Sequence, residues 1–327
     1  MILSSPSCPS YLGPALFLVP CFLFLVPCTL FLVPCTLYLY PVLHRSTIQL
    51  LRFHFSIFLL PVFLFALSLV REVNWWNAIL AFVILHLLVY PSSNGYNSYM
   101  DRDTSPIGGI LNPLQPTRQL FHVSIAMDVV AVASSFLISI YFAAGILLYI
   151  LASRAYSYRG IRLKKYPIIG YLIVLVFQGA LVFFLSYHAC SVDQSLNPPL
   201  WGLLAASCLI GGSYPLTQVY QHREDKEDGV KTISMLLGKR GTFLFCSIVF
   251  TLATLFLFLL YKQSSIIWAF WLFVICMTPM VWFFVQWMLK VWKDGHQANF
   301  RNSLWMNILA AMCTTICFSI LIIKHNS

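Results

Sequence analysis

The chain has 327 residues, of which 60% are hydrophobic and 9% charged, whereas an ordinary soluble domain carries roughly a quarter charged residues. That composition excludes a soluble globular protein and points to a polytopic membrane protein. The net charge of +10 is not a nucleic-acid footprint, because the basic residues fall in short loops between apolar runs and form no single patch.

Residues 18–38 read LVPCFLF, LVPCTLF and LVPCTLY, a repeat that sets Pro20, Pro27 and Pro34 in register, with Pro41 following. Proline in every second helical turn removes backbone hydrogen bonds that lipid cannot replace, at about 3 kcal/mol each in a helix interior. The repeat is expected to make a poor spanning helix. Nor is it a secretory signal, since no Lys or Arg precedes Arg45. Residues 1–44 are read as a low-complexity extension outside the fold. The working domain is expected over 45–327, starting near His44 to Thr47, although no methionine lies between Met1 and Met100.

From there the apolar runs are regular, each near the length of about 20 residues that crosses a bilayer. The expected spans are 53–70, 75–96, 120–140, 142–157, 167–187, 199–219, 242–261, 265–289 and 302–323. The expected fold class is an all-α polytopic bundle of about nine transmembrane helices around a central cavity. If the loops after the second, fourth, sixth and eighth spans share a side with the N-terminus, only Arg71, Lys262 and Lys324 of the 20 Lys and Arg residues lie opposite. That bias predicts a cytoplasmic N-terminus and cytoplasmic loops on that side, with the C-terminus outside. The membrane would be the cell or inner membrane in a bacterium.

The 10 cysteines include no C-x-x-C pair and none beside histidine at zinc spacing, and His54, His86, His188 and His296 are isolated. Packing is the expected role for all of them.

Most of the carboxylates sit in two polar stretches, residues 94–105 and 220–232. Polar groups that are costly beside hydrocarbon mark a functional site by default. Asn97, Asp101 and Ser105 are spaced i, i+4, i+8 and share one face if the second helix continues past Pro91; Glu224 and Asp228 repeat the i, i+4 spacing. Two such helix ends facing each other would suit a hard cation such as Mg2+, which keeps positions free for water and phosphate. Arg102, Arg162, Lys164, Lys165 and Lys231 lie on the same expected side, where they could neutralise a leaving diphosphate. Either stretch alone is as readily a solvated charge run; their pairing, spacing and common side favour a metal-diphosphate clamp at the mouth of an apolar tunnel.

The first stretch resembles the N-D-x-x-D-x-x-x-D motif, and the second the D-x-x-x-D motif, of the UbiA-type intramembrane prenyltransferase superfamily. The intervening loop Tyr158-Arg159-Gly160-Ile161-Arg162-Leu163-Lys164-Lys165-Tyr166-Pro167 is similar too, and the likeness runs from about Leu50 to the C-terminus. The resemblance implies Mg2+-dependent transfer of a prenyl group from an isoprenyl diphosphate to a hydrophobic, usually aromatic, acceptor in lipid or quinone-type biosynthesis. Carried over residue by residue, it implies a metal set of Asn97, Asp101, Asp103, Glu224, Asp225 and Asp228. Asn97, Arg102, Arg162, Lys165, Lys231 and Tyr220 are expected on the diphosphate, and Asp101, Asp228, Lys164 and Tyr99 in catalysis. Ser98 and Ser105 stand where the first motif usually has Asp, and Asp103 would be the substitute, although two positions from Asp101 puts it off the shared helical face. The run from Gly108-Gly109 to Asn112-Pro113 replaces an Arg-Pro that often follows the motif.

The implied chemistry is ionisation of the allylic diphosphate, which needs water kept out and π faces around the cation. Tyr96, Tyr99, Phe177, Tyr214 and Tyr220 are candidates, with Tyr99 and Tyr220 favoured by their place beside the acids. Asp128, a lone acid in the third span, is expected to snorkel to water, and Gln178-Gly179 interrupts the fifth. The rival readings are a catalytically silent lipid-binding protein of the same fold and a secondary transporter, which would need an inverted repeat that the chain does not show.

Overall fold

The computed structural model describes residues 43–326, and the proline repeat lies outside the described residues. Besides 3-10 turns at Leu163–Lys165 and Gly295–Gln297, the described residues form nine long helical segments and one short α-helix. They are α1 (Arg45–Phe58 plus Leu60–Leu67, bent by 40°), α2 (Trp75–Asp101), α3 (Arg118–Ser135), α4 (Ile140–Ser157), α5 (Pro167–Cys190), α6 (Leu200–Thr217), the short α7 (His222–Glu227), α8 (Ile233–Gln263), α9 (Ile267–Lys293) and α10 (Phe300–Asn326). Seven of these (α2, α4, α5, α6, α8, α9 and α10) are long and apolar enough to cross a membrane, or eight with the bent α1. The protein is a multi-pass integral membrane protein. The difference from the expected nine is α3, which is helical where the third span was expected but carries Arg118, His122 and Asp128 and stops at Ser135.

Local chemistry sets the boundaries. Asn74 opens α2 by accepting from the Asn77 amide (3.1 Å), and Ser139 opens α4 by accepting from Phe142 (3.0 Å). The α2 helix does continue past Pro91: a wide π-type turn over Ile84–Val89 takes up the disruption just before the proline, so the rod runs on to Asp101. A second wide turn, Leu175–Leu181, holds Gln178 and Gly179 in α5. There a Cβ on Gly179 would lie 2.5 Å from the Ser207 Cα, so glycine is what lets α5 and α6 touch.

The helices form a closed ring. α1 packs on α2, α5 and α10; α2 packs on α3 and α4; α4 meets α5; and α5 to α6, α6 to α8, α8 to α9 and α9 to α10 complete the circuit. The loops around Val73 and Ser191 meet at one end, where the Asn74 amide donates to the Cys190 carbonyl (2.8 Å). Both polar stretches lie at the opposite end, since α2 ends there, α5 begins there, and α7 sits between the end of α6 and the start of α8. Between the two ends is a cavity of about 320 Å³. Its inner wall includes Phe65 and Phe318, two fully buried rings stacked 4.8 Å apart.

Candidate active site

The predicted i, i+4 pair forms. The Asn97 amide donates to Asp101 Oδ2 (2.9 Å) and to Ser157 Oγ (3.1 Å) across to α4, and the Lys164 ammonium donates to the same Asp101 oxygen. The helix then ends because Arg102 takes a left-handed conformation (φ 56°). That turn redirects the chain, so Asp103 and Ser105 reach the cavity as well. The expectation that Asp103 would fall off the working face is thereby corrected: the helical phase no longer applies beyond Asp101.

The second stretch faces the first. Glu224, Asp225 and Asp228 line the same cavity mouth as Asn97, Asp101 and Asp103. Arg162 bridges the two, donating through Nη2 to Asp228 Oδ2 and through Nη1 to the Asp228 carbonyl (3.1 Å), while Nη2 lies 3.5 Å from Asp101 Oδ1. It does so from a left-handed backbone (φ 50°) at the turn between α4 and α5.

The mouth gathers carboxylates and cations, and buried polar atoms of both kinds lack a hydrogen-bond partner, Arg52 Nε, Asn94 Nδ2 and Arg162 Nε among the donors. Asp101 Oδ1, Glu224 Oε2 and Asp225 Oδ2 are buried without a hydrogen-bond partner, although buried polar atoms are nearly always paired. Burial pushes the Asp225 carboxyl up to about 7, against the pull of Lys164, and pushes Asp103 up to about 6, with Asp101 adding to the effect and Lys164 and Arg52 opposing it. Such a donor set fits a hard cation. Among the described residues no three Asp, Glu, His or Cys side chains are gathered into a ready metal cage.

Not every expected residue arrives. Tyr99 is two residues from Asn97, about 200° around the helix, and packs outside the cavity against Phe121 (5.3 Å between rings) and the Leu50, Leu51 and Leu120 cluster. Its expected catalytic place is corrected accordingly. Arg102 is exposed, with its guanidinium 6.0 Å from the Tyr99 ring. Lys165 is exposed over Tyr166 (5.0 Å), because successive residues of a tight 3-10 turn point about 120° apart and Lys164 takes the inward place. Lys231 is exposed and does not line the cavity. Tyr220 does line it, with burial holding its hydroxyl above the ordinary value and its ring against Phe300 (5.4 Å). Tyr214 and Phe177 also face the cavity; Tyr96 instead lies under the Arg154 guanidinium (4.1 Å).

Two basic residues at the mouth were not singled out from the sequence. Arg52 lines the cavity from a left-handed kink in α1 (φ 50°) and donates to the Asn94 carbonyl (3.2 Å). Gly108 (φ 38°) lets the following loop close over it, since a Cβ there would collide with the guanidinium. Arg159 caps the end of α2, with Nε on the Met100 carbonyl (2.6 Å) and Nη2 on the Asp101 carbonyl (3.3 Å), and lies 3.7 Å from Asp228. Arg159 belongs to the basic loop already noticed; Arg52 had no signal beyond being a cation near the start of an apolar run.

Asp128 does not snorkel. It pairs with Arg154 of α4 through Nε (3.0 Å) and Nη2, and accepts from Ser92 Oγ of α2. This cluster ties α2, α3 and α4 together beside the cavity.

A family model described as the UbiA prenyltransferase family matches residues 57–309, and the chain belongs to that family. It is accordingly an intramembrane prenyltransferase. Solved structures with the same fold include a UbiA homolog from Archaeoglobus fulgidus bound to GPP and Mg2+ (17% identity, TM-score 0.63, covering 84% of this chain and 99% of that one). A UbiA homolog from Aeropyrum pernix K1 in its apo form matches at 17% identity and TM-score 0.61, over 81% of this chain and 98% of that one. A structure of digeranylgeranylglyceryl phosphate synthase matches at 20% identity and TM-score 0.57, over 86% and 98%. No curated protein matches the chain.

Proposed function

We propose that the protein transfers a prenyl group from an isoprenyl diphosphate to a hydrophobic, aromatic acceptor, with Mg2+ and the diphosphate held between the two acidic stretches. The observation that carries this reading is the convergence of both stretches on one cavity mouth with three buried carboxylate oxygens that accept no hydrogen bond. The A. fulgidus relative bound to GPP and Mg2+ supports the choice of substrate and ion.

In this reading Asn97, Asp101, Asp103, Glu224, Asp225 and Asp228 are the residues that would hold the ion. Bound Mg2+ would neutralise charge developing on the leaving diphosphate. Lys164, already on Asp101, swings to the diphosphate oxygens, and Arg162 keeps the two acidic stretches at a fixed separation while offering a guanidinium edge to phosphate. Arg52 faces the same mouth and adds positive charge where the leaving group accumulates negative charge. Below them Phe177, Tyr214 and Tyr220 supply π faces to the allylic cation, and the apolar wall keeps water from it. The allylic C–O bond breaks with its electron pair going to the diphosphate, the acceptor bonds to the allylic carbon, and the acceptor's proton passes to the released diphosphate.

The reading also puts the mouth and the N-terminus on the cytoplasmic side, supported by the loop-charge bias that leaves only Arg71, Lys262 and Lys324 opposite. The working domain is 45–327, supported by a family match that begins at residue 57.

Purified protein incubated with labelled prenyl diphosphates and a panel of quinone precursors, with and without Mg2+, tests the assignment. Metal-dependent diphosphate release with prenyl transfer is expected. No turnover with any acceptor would favour a catalytically silent lipid-binding protein.

A further inference from the structure

The cavity has two unlike walls. Below Arg52, every residue that α1 contributes to it, from Phe55 to Phe65, is apolar. The wall made by α2, α4 and α5 is instead polar inside the spanning helices. The Asn97–Ser157 bond at the mouth is repeated one turn deeper, where Ser93 Oγ lies 2.5 Å from Ser153 Oγ between the same two helices. A further turn down α4, Ser93 and Gln178 flank the Tyr149 hydroxyl. Ser93, Asn94, Tyr149, Ser153 and Gln178 all line the cavity. Four residues of helix rise about 6 Å, so this cluster begins about 6 Å below Asn97.

Helix pairing accounts for only part of this cluster. A serine pair ties two spanning helices together. Gln178, however, projects from the wide π-type turn of α5, a feature that recurs at functional sites, and the Asn94 amide nitrogen is buried with no hydrogen-bond partner. Polar groups on a lumen that must stay dry while an allylic cation exists are a liability unless a bound group occupies them. The cluster is also uncharged. Arg154, the cation beside it, is held by Asp128. Among the described residues the only Lys and Arg side chains lining the cavity are Arg52 and Lys164, both at the mouth.

We propose that Ser93, Asn94, Tyr149, Ser153 and Gln178 hold an uncharged hydroxyl or carbonyl group of the acceptor, so that the protein selects a phenol or hydroquinone over an aromatic carboxylate. This rests on the prenyl-diphosphate reading above, which puts the reacting carbon at the mouth. A ring offered there carries its far substituent down the polar wall, while the prenyl chain lies against the apolar one. Hydroxyl and amide side chains both donate and accept, so they satisfy either a hydroxyl or a carbonyl. With no cation at this depth, a carboxylate would be buried unpaired.

The test uses the full chain in nanodiscs with Mg2+ and the unreactive geranyl thiolodiphosphate, and reads the fluorescence of three naphthalene probes against empty nanodiscs. The probes are the 1,4-diol, its 1,4-dimethyl counterpart of similar shape, and 1-naphthoate. The diol should bind the unaltered protein about tenfold or more tightly than either other probe, because a site built to hydrogen-bond a hydroxyl rejects the analogue that lacks it. In Gln178→Leu and Tyr149→Phe that preference should be largely lost, with affinity for the dimethyl probe and the thiolodiphosphate kept. Equal binding of the diol and the dimethyl probe overturns the subsite. So does naphthoate as the tightest ligand, which would put the acceptor's handle at Arg52 and Lys164. The unaltered protein decides both even if the variants misfold. An undiminished diol preference in folded variants overturns it too. Failure of the thiolodiphosphate to show Mg2+-dependent binding overturns the prenyl-diphosphate reading, and the subsite with it.

Discussion

Helix α2 carries two buried charged clusters less than three turns apart, and they are built in opposite ways. In the lower one, Asp128 has both oxygens engaged, one by Arg154 and one by Ser92, and Arg154 is covered by the Tyr96 ring. In the upper one, at the mouth, Asp101 Oδ1, Glu224 Oε2 and Asp225 Oδ2 accept no hydrogen bond despite Lys164, Arg162 and Arg159 nearby, and Asp101 Oδ1 has only the Arg162 guanidinium at 3.5 Å. A closed cluster spends its charge on holding three helices in register. An open one keeps binding capacity for something that is not protein. The contrast separates structural from functional charge more sharply than burial does, since both clusters are largely withdrawn from solvent.

If that contrast is sound, substitutions in the two clusters should fail in different ways. The largest effect is expected from Asp101→Asn and Asp228→Asn, each lowering Mg2+-dependent diphosphate release by roughly a hundredfold or more, the scale of losing a preorganised charge-stabilising group. Asp101→Asn also takes the anion from buried Lys164 and Arg162, so its melting temperature should fall as well, more than that of Asp228→Asn, whose carboxylate is partly exposed. Asp128→Asn should spare the chemistry. It leaves Arg154 buried without its anion, a loss of about 3–5 kcal/mol, read as a lowered melting temperature in detergent with activity per folded molecule kept. Arg162→Gln should lie between, lowering activity and also loosening the mouth; added Mg2+ with diphosphate should raise the melting temperature of Asp128→Asn, which keeps the site, by more than that of Arg162→Gln, which has lost part of it. Tyr99→Phe and Lys231→Ala, outside the cavity, should stay within about twofold of the unaltered rate, as usual for positions that touch no special feature. Removal of residues 1–42 should have the smallest effect of all on transfer measured in nanodiscs.

Much of this was legible in the chain. The apolar runs marked the long helices closely except at the starts of α1 and α8, Arg45 and Ile233, which lie well before the expected 53 and 242, and the residues spaced i, i+4, Asn97 with Asp101 and Glu224 with Asp228, line one cavity. What the spacing could not reveal is where the helix stops. The left-handed Arg102 brings Asp103 inward, while two residues of helical phase carry Tyr99 outward. The third expected span is present as α3, 18 residues long, and differs from its neighbours only in being less apolar, since it carries Arg118, His122 and Asp128. Arg52 and Arg154 were visible only as charges for a loop count; their roles depend on partners 42 and 26 residues away in sequence, and no local pattern encodes such pairings.

The central claim is that the two acidic stretches make one metal-diphosphate site. It is tested most directly by titrating Mn2+, as a paramagnetic stand-in for Mg2+, into the protein with inorganic diphosphate and counting bound ion by electron paramagnetic resonance. Asp101→Asn and Asp228→Asn should each lose the diphosphate-dependent binding that the unaltered protein and Asp128→Asn retain. Undiminished binding in either mouth variant would contradict the account.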